Sequence, residues 1–209
     1  MAFTGIPFAA LDFYEDLEAD NSKVWWNAHK DVYQESVKEP MTALLAELEP
    51  EFGTAKLFRP YRDVRFSKDK TPYKAHQGAF VAKGPALGYY VQIDPAGLFV
   101  AGGFYHSTTE GIARFREAVD TEVRGSELEG IIAGMNKAGF EVGGDQLKTK
   151  PRGYDADHPR IDLLRHKSLT VGKHFGSPEW LETPKAAAEI RDAWRKMNPL
   201  VEWAEQVLN

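Results

Sequence analysis

Apolar residues recur at helical spacing through the first third of the chain. Phe8, Leu11, Tyr14 and Leu17 follow Pro7 and predict a helix that opens there. Asp20-Asn21 offers a cap for a second helix over about 22–37, with Trp25, Val32 and Ser36 on one side. Pro40 is expected to punctuate it, after which Met41, Leu44, Leu45 and Leu48 continue the spacing up to Pro50 and Gly53. The character changes at Lys56. An extended segment is expected over 57–65, then a polar loop, then strands near 77–82, 89–94 and 98–104. Asp94-Pro95-Ala96-Gly97 reads as a turn, so these three runs predict an antiparallel meander. Val91 and Ile93 would face one side of it, Tyr90 and Gln92 the other.

The last stretch is again mostly helical. Ser107–Glu110 and Ser126–Glu129 both read as capping boxes, the first ahead of Ile112, Phe115 and Val119, the second ahead of Leu128, Ile131, Ile132 and Met135. Gly139 and Gly143-Gly144 bracket a short strand, and residues 144–160 lack apolar periodicity, which suggests a long functional loop. A short helix at 161–164 and a strand at 168–171 follow. Thr183 and Pro184 open a final helix with Ile190, Trp194 and Met197 inward, and Pro199 is expected to break or kink it. The pattern predicts an α+β fold: a single compact domain over 1–209, with an antiparallel sheet and helices packed mainly on one face. Its parts are a helical third at 7–50, a sheet-rich middle at 57–105, and helices with a polar loop at 108–209.

Composition narrows the options. At 209 residues, 43% hydrophobic and 27% charged, the chain can fill one core and has the usual soluble mix. No cysteine is present, so disulfides and thiolate chemistry are excluded, in keeping with a reducing compartment. No apolar run approaches the roughly 18–20 residues of a membrane span, and M-A-F-T-G-I-P-F lacks the features of a secretory signal. A cytoplasmic protein with no membrane partner is the expectation. A pI near 5.7 argues against whole-surface binding to nucleic acid and leaves room for a local basic groove.

Such a groove has a candidate. Y-R-D-V-R-F-S-K-D-K-T-P-Y-K, residues 61–74, carries Arg62, Arg65, Lys68, Lys70 and Lys74 against Asp63 and Asp69, in a chain of net charge −5. Arginine forks suit phosphate or carboxylate, and lysine acts as a point charge. Arg62 and Arg65 lie three apart, so a regular strand would send them to opposite faces. In the competing reading the two carboxylates pair with these cations and pin a loop, an arrangement that contributes only about 0–1 kcal/mol per exposed pair. A second polar stretch supplies Lys148, Lys150, Arg152, Tyr154 and His158, with Arg165 and Lys167 beyond it. His158 beside Asp157 could move a proton near neutral pH, as could Asp63. Tyr73 could donate a hydroxyl. Tyr73, Tyr89, Tyr90 and Tyr105 could also stack on bases. Trp25 and Trp26 are adjacent, so both cannot face the core; core packing is expected of Trp25, and the place of Trp26 stays open.

Other chemistries find less. His29, His76, His106, His158, His166 and His174 show no H-x-x-x-H or H-E-x-x-H spacing, so no metal centre is assigned. Asp63, Asp69, Asp155 and Asp157 could serve Mg²⁺ beside a phosphate. Ser67 lacks a G-x-S-x-G elbow, and the glycine stretches match no P-loop or G-x-G-x-x-G, so the standard nucleotide-binding folds are rejected and any cofactor stays unknown. Two functional readings stand. One is a site for a small phosphorylated or carboxylated ligand, with or without catalysis, built from Arg62, Arg65, Lys68, Asp69, Lys70, Tyr73, Lys74, Lys148, Arg152 and Tyr154. The other is a non-catalytic module that binds nucleic acid or protein through the same basic patch.

Several motifs together resemble a known family. They are F-T-G-I-P-F, N-S-K-V-W-W with Tyr33 downstream, R-D-V-R-F-S-K-D-K-T-P-Y-K, the Gly102-Gly103 pair, Leu147-Lys148, P-R-G-Y-D-A-D-H-P and P-L-V-E-W. The chain resembles the uncharacterised, mainly bacterial family called domain of unknown function 2461, nearly end to end. Trp26 stands where that family more often carries Phe. The resemblance implies one compact domain of this size and no activity.

Overall fold

The helical spacing after Pro7 becomes α1, Ala9–Ala19, which buries Leu11, Phe13, Tyr14 and Leu17. The computed structural model describes residues 2–208; readings that touch Met1 or Asn209 lie outside the described residues. In α2, Lys23–Ala28, the cap is Ser22 rather than Asp20-Asn21: its hydroxyl accepts the Trp25 amide at 3.1 Å. The expected single helix then continues in pieces: α3 at Lys30–Val32, a π-helical turn at Tyr33–Lys38, and α4 at Glu39–Phe52. Pro40 does not end the run. It sits at the start of α4, directly after the wide turn, where the regular hydrogen-bond ladder is already interrupted. Gly53, at φ +96°, stops α4.

The sheet has six antiparallel strands in the order β1-β2-β3-β4-β6-β5. They are β1 at Ala55–Leu57, β2 at Gln77–Gly84, β3 at Leu87–Asp94, β4 at Gly97–Phe104, β5 at Glu141–Gly143 and β6 at Leu169–Gly176. The meander and its Asp94–Gly97 turn are as expected. The extended run expected over 57–65 ends instead at Leu57, and β6 runs five residues past Val171. Helices α5 (Thr109–Asp120), α6 (Glu122–Lys137), α7 (Ile161–Leu164) and α8 (Lys185–Leu208) complete the α+β fold, with a 3-10 turn at Glu179–Glu182. The caps differ from expectation by position. Thr108 caps α5 and Thr121 caps α6, so Ser107 lies one residue outside and Ser126 lies within the second turn of α6. Pro199 lies inside α8 without ending it.

The chain divides into two compact units. The first holds Met1–Val81, Tyr90–Val100 and His174–Asp192; the second holds Ala82–Tyr89, Ala101–Lys173 and Ala193–Asn209. In the second unit, Phe104, Phe115 and Trp203 stack edge to face at 5.4 and 5.9 Å. There the Tyr89 hydroxyl donates to Asn198 at 2.7 Å, and Gly102 leaves no room for a methyl group beside the Met197 sulfur. In the first unit the alternation along β3 separates a packed face from an open one: Val91 and Ile93 are fully buried, Tyr90, Gln92 and Asp94 half-buried.

The F-T-G-I-P-F motif acquires a mechanical reason in the first unit. The Ile6 amide donates to the Leu181 carbonyl at 2.7 Å, and the Phe8 amide to the Glu182 carboxylate at 3.0 Å. Just before Ile6, Gly5 has φ +127°, and a β-carbon there would lie 2.1 Å from the Glu182 carbonyl carbon. Ile6 is fully buried as a result of this docking. Gly5→Ala should therefore cost more than about 2 kcal/mol from the backbone conformation and the clash together. Urea denaturation reads this out as a lower midpoint at unchanged slope; an unchanged midpoint would contradict the docking.

Candidate functional site

The basic stretch lies between β1 and β2, on a loop closed at its base. Tyr61 and Tyr73 form an antiparallel bridge, the Arg62 amide donates to the Pro72 carbonyl at 2.9 Å, and the Lys74 amide to the Pro60 carbonyl at 2.8 Å. Asn21 then clamps Tyr73 from both sides of its backbone. Its side-chain NH₂ donates to the Tyr73 carbonyl at 3.0 Å, and its side-chain oxygen accepts the Tyr73 amide at 3.1 Å. The Tyr73 ring stacks on Trp26 at 4.1 Å and 8°. Trp26 is in turn in ring contact with Phe13 at 5.7 Å and Tyr33 at 4.9 Å. Tyr33 donates its hydroxyl to Gln77 at 2.8 Å, and Gln77 donates to the Phe58 carbonyl at 2.7 Å. Burial pushes the Tyr33 phenol up to about 12. Trp26 is thus the core residue, while Trp25 is half-buried and stacks on His29 at 4.0 Å, which corrects the expectation of core packing for Trp25.

Above this base the charges close on one another. The Arg62 guanidinium binds the Asp69 carboxylate and the Thr71 hydroxyl. Arg65 makes a two-point pair with Asp63, at 2.9 and 2.6 Å. The Lys70 ammonium donates to the Val64 carbonyl at 2.8 Å, and the Asp69 carboxylate accepts the Thr71 amide at 2.9 Å. The strand-parity argument for Arg62 and Arg65 does not apply, because the chain leaves extended pairing at Tyr61. The Thr71 amide and the Arg62 guanidinium hold Asp69 down at about 2. Its pKa is depressed on folding, so its share of loop stability is full above the ordinary carboxylate value of 3.8 and is lost as the pH falls through about 2. Arg65 likewise lowers Asp63.

Some groups stay open to solvent. Lys56, Arg59 and Lys68 are exposed and make no ion pair among the described residues. Phe66, at the loop tip, is 96% exposed, with the Arg65 guanidinium 5.9 Å from its ring. The Lys74 ammonium sits 5.4 Å over Phe58, where burial, aided by Arg59, lowers its pKa. From Lys56 to Lys74 the segment carries seven cations against two carboxylates. Tyr73 is itself buried, and desolvation raises its phenol.

The second polar stretch belongs to the second unit and is organised around α5 and α6. His158 accepts the Arg160 amide on Nδ1 at 3.0 Å and faces Asp120 through Nε2, also at 3.0 Å. With Nδ1 accepting, Nε2 carries the proton and donates to Asp120, so both ring nitrogens are engaged. Tyr154 meets the His158 ring edge-on at 6.2 Å, and burial raises its phenol. Lys150 donates to the Tyr154 carbonyl at 2.7 Å, and Arg165 to the Leu147 and Lys148 carbonyls at 2.9 and 3.0 Å. The side chains of Lys148 and Arg152 are exposed. The strongest tie here is one the sequence reading missed. Arg160, nearly buried, binds Glu129 at 2.9 Å, Glu122 at 2.8 Å and Ser126 at 2.9 Å, so Ser126 serves this network rather than a cap. His166 is buried between the Ser168 carbonyl and Gln146, each at 2.8 Å, and desolvation holds its pKa below the ordinary value. Among the described residues no three His, Asp or Glu side chains gather as a metal site.

A third feature lies on the open face of the sheet in the first unit. Tyr90 spreads across Gly78, where any β-carbon would lie 2.4 Å from the Tyr90 hydroxyl oxygen. Its hydroxyl donates to Gln92, whose NH₂ donates to Asp94, each at 2.6 Å. Phe58 and Phe99 flank Tyr90 at 6.3 and 6.4 Å, and His174 lies 4.4 Å from Phe99. His76 is half-buried, its pKa lowered by burial and Lys74 and raised by Asp94. The period-two pattern of β3 signalled Tyr90 and Gln92; nothing local signalled Phe99 or His174.

A family model described as conserved hypothetical protein, domain of unknown function 2461, matches residues 9–203. The chain belongs to this family. Among curated proteins none matches it. Membership in domain of unknown function 2461 brings no activity with it, so the chemistry rests on the geometry above. No helix of the described residues is long and apolar enough to cross a membrane.

The clamp makes a direct prediction. Asn21→Ala removes two hydrogen bonds from the loop base, each contributing about 0.5–1.5 kcal/mol. Amide exchange at Arg62, Tyr73 and Lys74 should accelerate by about tenfold or more, while the core of β3 keeps its protection. Equal protection in both proteins would show that the loop base does not depend on Asn21.

Proposed function

We propose that this protein is a binding module for a phosphate-bearing anion, held by the segment from Lys56 to Lys74. One observation carries the reading: a segment of seven cations and two carboxylates, in a chain of net charge −5, is fixed at its base by the Asn21 clamp and the Trp26 stack. Ordering this loop in advance reduces the entropy that ligand binding must otherwise offset. Arg62 and Arg65 are committed to Asp69 and Asp63, so they shape the loop, while Arg59 and Lys68 project outward from it as point charges for the ligand.

The same geometry favours binding over catalysis. Asp63 gives both oxygens to Arg65, and both ring nitrogens of His158 are engaged. Arg65 holds Asp63 as the anion, and His158 has to break one of its two hydrogen bonds before it can move a proton. Exposed cations at Lys56, Arg59 and Lys68, spaced along the segment, suit several phosphates in a row better than one small anion.

Thermal denaturation with inorganic tripolyphosphate tests the reading. A ligand at 100 times its Kd stabilises by about 2.7 kcal/mol, a rise of several degrees for a chain of this size. The double variant Arg59→Ala, Lys68→Ala should keep its own melting temperature and lose most of the rise. No rise in the wild type, or an equal rise in the variant, would overturn the assignment.

A further inference from the structure

We infer that the anion is single-stranded nucleic acid, its phosphates on the Lys56–Lys74 segment and its bases on the open sheet face that carries Phe58, Tyr90 and Phe99. The inference rests on the anion-binding reading and names its ligand. Half-buried rings on a sheet face are what unpaired bases stack on, and the contact tolerates any sequence because every base has a π-face. Here the rings step at 6.3 and 6.4 Å from Phe58 to Tyr90 to Phe99. That is about twice the roughly 3.4 Å rise per nucleotide of a stacked strand, so the bases must be splayed apart, as a single strand allows and a duplex does not. Tyr90 is preset for the role, laid flat over Gly78 with its hydroxyl held by Gln92.

Charge places the strand on this face. Lys56 pairs in register with Phe80, so its side chain lies on the face that Phe80 occupies. Lys74 covers Phe58 at one end of the ring row, beside His76 and Arg59. Asp94, the carboxylate of the row, is already bound by Gln92 at 2.6 Å and by the Ala96 amide at 2.8 Å. An acidic peptide would match the cations and leave the rings uncovered. A polynucleotide satisfies both.

Fluorescence anisotropy with a labelled single-stranded oligonucleotide of mixed sequence tests this, with the same sequence as a duplex and tripolyphosphate as a competitor. The single strand should bind more tightly than the duplex, with a salt slope of about −0.7 for each phosphate neutralised. Phe99→Ala should weaken the strand about 5- to 150-fold and leave the thermal shift by tripolyphosphate unchanged. His174→Ala, at an exposed side chain tilted against Phe99 at 4.4 Å, repeats the measurement without risk to the core and should weaken the strand several-fold. If strand and duplex bind alike, or if both variants bind the strand like wild type while tripolyphosphate still shifts the melt, the nucleic-acid inference fails and the anion reading stands. If neither the strand nor tripolyphosphate binds, both fail.

Discussion

Tyr73 is where the polar and apolar halves of the first unit meet. Its backbone is held at both polar atoms by Asn21, and its ring is stacked flat on Trp26. A segment as charged as 61–74 has few apolar side chains of its own, Phe66 among them stands exposed, and its ion pairs are exposed. Exposed pairs contribute about 0–1 kcal/mol each. The apolar anchor has to come from the side, and α1, α2 and the π turn supply it through Phe13, Trp26 and Tyr33. Remove that anchor and the internal pairs, Arg62–Asp69 and Arg65–Asp63, have no fixed base to build on.

This division of labour explains why the loop carries both signs. In the proposed anion site carboxylates look counterproductive. Here they bind Arg62 and Arg65 and leave Lys68 exposed, so the residues that shape the loop differ from those proposed to meet the ligand. The second unit uses the same device with a different result. Arg160 is drawn in by Glu122 and Glu129 and ties the polar stretch to α6, and His158 bridges to Asp120. In that unit the polar residues act as ties, and their distance in sequence from α5 and α6 hid the fact.

How far the sequence reached follows from how local each signal was. The meander, the Asp94–Gly97 turn and the helix at 161–164 rest on neighbouring residues and were readable. The alternation of Val91 and Ile93 with Tyr90 and Gln92 gave the two faces of β3 correctly. The caps were readable in kind and misplaced by position, because Ser107 and Thr108 offer the same chemistry one residue apart, and Ser126 answers to Arg160 from 34 residues away. The choice between Trp25 and Trp26 for the core was not legible locally, because the partner that buries Trp26 is Tyr73, far along the chain. The charged stretch was recognisable as a unit. The pairing inside it depended on where β1 stopped, and the run of polar residues does not mark that point.

We propose that the Lys56–Lys74 segment is a preformed anion site, ordered before any ligand arrives. The decisive experiment is an amide-resolved NMR titration of the isotopically labelled protein with tripolyphosphate. Shifts confined to Lys56–Lys74 and the adjoining β2 and β3 positions are expected, on a loop whose backbone is already ordered in the free protein. Shifts centred elsewhere, or a loop that is disordered until ligand is added, would contradict it.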